Sequence, residues 1–175
     1  MTYVDTLKSL GVPQARAMIF RAVPGGNPTT VIGSIDLVER NGVVTLTGSI
    51  NGLPQGPHAI HVHQYGDLGN GCNAAGGHFN PLRAVHGMQL DPPSRRHVGD
   101  LGNLMTPAQG PTQVSISDSL MTFVGLRGVI GRALVIHAMI DDLGRGGVPA
   151  SLTTGNAGGR LACGVIGYIA PSNLQ

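Results

Sequence analysis

The chain has 175 residues, of which 41% are apolar, enough for one domain with its own core and too few for several. Aromatic residues make up only 3% and tryptophan is absent, while 28 glycines and 12 prolines argue against long helices and demand frequent turns. The formal charge of +2 arises from ten arginines and one lysine against eight aspartates and one glutamate, with no basic run, so neither nucleic-acid binding nor membrane insertion is expected.

In chain order, residues 1–14 are expected to form a flexible extension, with no apolar run long enough for a membrane span or a secretory leader core. Residues 15–175 form the expected domain. Alternating apolar and polar residues predict strands at Ala15 to Val23, Val31 to Glu39 and Val43 to Ile50, and Asn41-Gly42 predicts a tight hairpin between the last two. A fourth strand, Ala59 to Gln64, carries His61 and His63 two positions apart, which projects both rings from one face. A glycine-rich run from Gly69 to Gly77 can then bend His78 back toward that pair, because glycine tolerates tight turns. His86, His97 and Asp100 follow in a stretch read as loop, containing Pro81, Pro92, Pro93 and Gly99. Further strands are expected at Thr112 to Asp118, Leu134 to His137 and Ala162 to Ile169. That pattern is all-β and suggests a Greek-key barrel or sandwich whose long loops carry the functional residues.

Six histidines and one aspartate, from His61 to His137, suit two metal ions better than one. Three imidazoles and one carboxylate make a closed four-coordinate set of the kind that holds structural zinc. The remaining His61, His63 and His137 form an all-imidazole set that suits copper, which exchanges single electrons where zinc cannot. His58, the seventh histidine, reads as a satisfied polar residue outside both sets. Asp67, Arg96 and Asp142 read as turn or surface residues.

His61-Val62-His63, Gly66-Asp67, Gly71-Cys72, His78-Phe79-Asn80-Pro81, His86-Gly87, Arg96-His97-Val98-Gly99-Asp100-Leu101-Gly102-Asn103, Asp141-Asp142-Leu143-Gly144 and the run from Gly155 to Gly167 together resemble the copper/zinc superoxide dismutases over about residues 15 to 169. The resemblance implies an eight-stranded, immunoglobulin-like Greek-key fold and the disproportionation of superoxide at a copper ion beside a structural zinc ion. It implies copper ligands His61, His63, His78 and His137, zinc ligands His78, His86, His97 and Asp100, and a shared His78 that takes part in catalysis. It further implies that Arg160 guides the anion, that Asp141 orients one copper and one zinc histidine, with His61 and His86 the expected pair, and that Cys72 and Cys163 form a disulfide. A homodimer involving Gly66, Asp67, Ile130, Gly131, Val165 and Ile166 is implied as well.

Two departures stand out. His86 and His97 are eleven apart, longer than the family commonly shows, so the segment from Leu90 to Arg95 is expected to bulge outward at little entropic cost. The segment from Gly147 to Thr154 lacks the glutamates and lysine that many members carry there, which predicts a shallow dependence of rate on salt. Ala59 to Leu68 and His137 to Gly147 are closer to the extracellular members, so secretion is expected, with a cytoplasmic location as the alternative. The rival function is a non-catalytic metal-storage or delivery module. A cupin oxygenase would want a glutamate shortly after His63, and a zinc hydrolase an H-E-x-x-H motif; the chain has neither.

Overall fold

A computed structural model describes residues 14–170. Eight strands, β1 (Gln14–Arg21), β2 (Val31–Arg40), β3 (Val43–Ile50), β4 (Gly56–His63), β5 (Asp100–Thr106), β6 (Thr112–Asp118), β7 (Ala133–His137) and β8 (Arg160–Tyr168), are joined by long loops. They form one antiparallel sheet in the order β5-β4-β7-β8-β1-β2-β3-β6. Because β3 neighbours β6 and β4 neighbours β7, the β3–β4 and β6–β7 connections cross between non-adjacent strands, as in a Greek key. The outer strands β5 and β6 approach one another, and Thr106 Oγ1 lies 2.7 Å from Thr112 Oγ1. The sheet thus curls into a barrel.

Alternation decides which side chains fill it. In β1, Ala15, Ala17 and Ile19 are buried while Gln14, Arg16 and Met18 face solvent. Ile35, Leu37, Leu46, Ile50, Ile60, Leu134, Ile136 and Ile166 complete a core built almost wholly from aliphatic residues. The β2–β3 hairpin turns through Asn41 at φ 51° and Gly42 at φ 78° with Arg40 paired to Val43, the two positive φ values that a tight hairpin needs.

The residues expected to form a flexible extension lie outside the described residues, except Gln14, which already pairs with Val38 in β1. Strand β5 falls where loop was expected. Gly102 and Asn103 weaken the strand propensity of the segment, yet it pairs with β4 from Thr106 to Asp100 and buries Asp100, Gly102, Leu104 and Thr106 on one face. A four-residue helix, α1 (Ser151–Thr154), occupies the segment whose charges are missing. Arg96 is neither in a turn nor at the surface. It is buried, paired with Asp118 at 2.7 Å, and donates to the carbonyls of Gln89, His97 and Val98. Asp67 and Asp142 are turn residues as expected, accepting the N–H of Gly69 and Gly144. Ile166 points into the core, fully buried, and so is no contact residue for a second chain.

The longer segment between His86 and His97 does project outward. Two successive turns close with Asp91 N–H donating to Met88 O and Arg95 N–H to Pro92 O, Leu90 is 83% exposed, and Arg145 ties Asp91 back at 3.0 Å.

Candidate metal centre

His61 and His63 leave β4 on the face away from the barrel core, where Ile60 and Val62 point. His137 ends β7, directly beside β4, and His78 is brought back to pair with His63 in an isolated bridge. The ring orientations are set by their outer nitrogens. Nδ1 of His63 is 2.9 Å from Gly76 O, and Nδ1 of His137 is 3.3 Å from Gly158 O. A carbonyl only accepts, so each Nδ1 carries the proton and each Nε2 is left with a lone pair. Those two Nε2 atoms face one another at 3.1 Å. Nδ1 of His61 and Nε2 of His78 are buried with no hydrogen-bond partner. Four electron-pair donors thus converge among buried side chains, an arrangement that is costly unless a cation lies between them.

The second cluster centres on Asp100. Its Oδ1 lies 2.9 Å from Nδ1 of His78, 2.9 Å from Nδ1 of His86 and 3.1 Å from Nδ1 of His97. The His86 contact has the distance but not the alignment of a hydrogen bond. Oδ2 accepts the backbone N–H groups of Gly87 and His97, which fixes the carboxylate. Two sets of ligating atoms lie within 4.8 Å of one another: His61, His63, His78 and His137, and His61, His78, His86 and Asp100. The tighter second set takes in His61 instead of His97, but His97 reaches Asp100 and, at 3.3 Å, Nδ1 of His78. His78 therefore faces one cluster with each ring nitrogen.

Asp141 joins the clusters from behind. Its Oδ2 accepts from His61 Nε2 at 2.8 Å and its Oδ1 from His86 Nε2 at 2.7 Å, the expected pair. Both rings are thereby forced to present Nδ1 toward the metal positions. Asn103, to which no role fell from sequence, holds Asp141 in turn by donating to its carbonyl and accepting its N–H. Gly155 was missed too. A Cβ there would lie 2.0 Å from Asp141 Oδ1, so only glycine leaves room for the bond to His86. Nothing in the glycine run itself singles out that position.

Burial, then neighbouring imidazoles, hold His61 and His63 well below the usual imidazole range, and burial brings His137 down to about 4. His78 is lowered for the same first reason. His86 goes the other way. Burial opposes its charge, but the closeness of the Asp100 carboxylate, the hydrogen bond to Asp141 and the charge of both outweigh it and raise the ring to about 9. Burial would also raise Asp100, yet hydrogen bonds from His78 and His97 and the close ring of His86 hold it well below the usual carboxylate range. All seven side chains are buried. The donor chemistry fits a redox-active ion in the all-imidazole set and zinc in the set with the carboxylate.

A cavity of about 370 Å³ opens onto the all-imidazole set between His63, His78, His137, Thr154, Asn156 and Arg160. Arg160 donates to Cys72 O at 2.5 Å and to Gly76 O, while Cys72 is disulfide-bonded to Cys163 three residues along β8. His58 has one ring nitrogen against the carbonyl of His137 and the other against that of Pro54, and stands outside both clusters.

A family model for copper/zinc superoxide dismutase matches residues 31–166. The chain belongs to that family. Among curated members, an extracellular copper/zinc superoxide dismutase of Haemonchus contortus is 57% identical over 90% of this chain and 85% of its own length. Another, from Caenorhabditis elegans, is 52% identical over 94% of this chain and 73% of its own length. Among solved structures, the clock protein EA4 superimposes with a TM-score of 0.78 at 40% identity, covering 89% of this chain and 94% of the other. The dismutase fold and its copper and zinc chemistry are thus shared with the family, and the geometry above is this member's version of them.

Proposed function

We propose that the chain is an extracellular superoxide dismutase, with His61, His63, His78 and His137 holding copper and His78, His86, His97 and Asp100 holding zinc. The observation that carries this reading is His78, whose two nitrogens face the two donor clusters, so that one ring would serve a redox ion on one side and a structural ion on the other. Copper supplies one-electron exchange, by which two superoxide ions and two protons become one dioxygen and one hydrogen peroxide. The chain does the rest. Nε2 of His78 is the atom able to hold a proton beside the bound anion, while Nδ1 on the other side of the ring would be held, with Asp100, by the zinc they share. Arg160, the one cationic side chain among the described residues that line the mouth, draws in and orients a small anion. Asp141 fixes His61 and His86, and Cys72–Cys163 holds the carbonyls on which Arg160 rests.

A storage or delivery module is not favoured, because the donor set is complete and the cavity leads to it. Gly66, Asp67, Ile130, Gly131 and Val165 support a symmetric dimer, with Gly66 packed against Gly131 and Val165 38% exposed. A monomer mass by light scattering at micromolar concentration would reject that part. The extracellular location follows the curated relatives and the disulfide; finding the native protein confined to the cytosolic fraction would contradict it. The decisive experiment measures metal content and superoxide consumption on one sample before and after loading. About one copper and one zinc per chain with fast dismutation is expected, and both metals bound without activity would overturn the enzyme reading. With the helix α1 segment uncharged, the rate is expected to fall only gently with ionic strength.

A further inference from the structure

Arg132 stands outside both clusters, in the loop that enters β7. Its guanidinium lies 3.6 Å from the ring centroid of Phe79, and its Nη1 donates to Gln64 O at 2.6 Å. Phe79 is the residue after His78, and Gln64 is the residue after His63. We propose that Arg132 is a positioning residue for the copper site, one cation that sets the separation of His63 and His78 by gripping the next residue in each segment. The inference rests on the dismutase reading above.

The grip is built to hold. Nε of Arg132 donates to Gly128 O at 2.8 Å, which stiffens the side chain against its own loop. Its backbone is anchored on β8, with Ile166 N–H donating to Arg132 O at 2.9 Å and the preceding Gly131 N–H to Ile166 O at 2.8 Å. Strand β8 also carries Arg160 and Cys163, so the guanidinium is referenced to the same strand as the anion-guiding group. On the other side, Phe79 is nearly fully buried and threaded between strands, its N–H donating to Val62 O and its carbonyl accepting from Gly99 N–H. A planar cation over the ring face adds attraction that grows as the pair is shielded from water. The Gln64 carbonyl gains a charge-assisted bond just where β4 ends and His63 has no following strand residue to steady it. With two donor bonds and a stacked face, arginine does here what lysine cannot, since lysine lacks the planar fork.

The test compares Arg132→Met and Arg132→Lys with the native protein, each loaded with copper and zinc. The readouts are the copper electron paramagnetic resonance spectrum, the visible copper band, copper per chain and turnover. Arg132→Met should shift the copper spectrum while binding metal, and should lower turnover on the order of 10-fold, within the range for residues that hold ligands. Arg132→Lys should give the intermediate spectrum, and it serves alone if the methionine variant does not fold. A general loss of stability would lower the melting temperature without altering the spectrum of the folded, loaded fraction. A native-like copper spectrum in both folded variants, or in the lysine variant alone if only it folds, overturns the inference. The dismutase reading fails separately, if the native protein takes up copper without turnover or takes up none.

Discussion

Cutting the Cys72–Cys163 disulfide gives a prediction whose size follows from the chain itself. The bridge spans a sequence separation of 91, and both sulfurs are buried. In the chain-entropy account, a closed loop of that length removes roughly 4.6 kcal/mol of freedom from the unfolded ensemble. For a chain of this size each kcal/mol corresponds to about 2–4 °C, so losing the bridge should lower the melting temperature by roughly 9–18 °C. The perturbation is the double variant Cys72→Ala with Cys163→Ala, alongside the native protein with and without a reductant. Alanine avoids burying two unpaired hydroxyls where the sulfurs lie. Calorimetry on metal-free protein separates the chain term from stabilisation by bound ions. The same change should loosen Arg160, whose Nη1 rests on Cys72 O, so loaded protein should lose turnover by more than its metal content falls. A melting shift below about 3 °C would refute the entropic reasoning. Full activity at full metal loading would refute the tether to Arg160.

The raised pKa of His86, about 9, means that at pH 7.5 the metal-free chain holds a proton which His86 would have to give up to serve as the proposed zinc ligand. Zinc uptake should therefore release about one proton near pH 7.5, and apparent affinity should rise about tenfold per pH unit up to about pH 9; calorimetry in buffers of different ionisation enthalpy reads both, and proton-neutral uptake would be the contrary result. By the same linkage, the stability that His86 confers on the metal-free fold is complete below its ordinary value of 6.5 and is lost as pH rises through about 9, which denaturant titrations across that window should show. Gly48→Ala would place a Cβ 2.1 Å from Ser34 O across the β2–β3 pair, so it should destabilise by about 2 kcal/mol or more; a loss under about 0.5 kcal/mol in urea titrations would show that the strands part easily. Arg96→Met leaves the buried Asp118 carboxylate facing an apolar side chain and should cost about 3–5 kcal/mol, whereas adding Asp118→Leu should recover much of that loss; equal stabilities of single and double variants would argue against a coupled pair.

Much of the barrel was legible because period-two alternation is a local signal. β1, β2, β3 and β6 announce themselves through it, and Asn41-Gly42 marks its own turn. β5 was not legible, because Gly102 and Asn103 break the pattern and its pairing partner β4 lies more than thirty residues away. Arg96 was misread for a related reason. A charged side chain in a polar run looks like surface until Asp118, at the end of β6, is found beside it. The ligand residues were legible as a set through chemistry and family resemblance, but their orienting partners, the carbonyls of Gly76 and Gly158 and the side chain of Asn103, carry no sequence mark.

What the sequence determined by itself is the kind of object this is: an aliphatic, turn-rich β domain with seven metal-competent side chains, because residue type and short-range periodicity act locally. Tertiary structure alone decided which nitrogen each histidine presents, which carboxylate accepts a hydrogen bond from which ring and which cation steadies His63 and His78. Those outcomes depend on contacts such as His61 with Asp141, or Arg132 with Phe79, made between segments far apart in the chain and brought within about 4 Å only when the barrel closes.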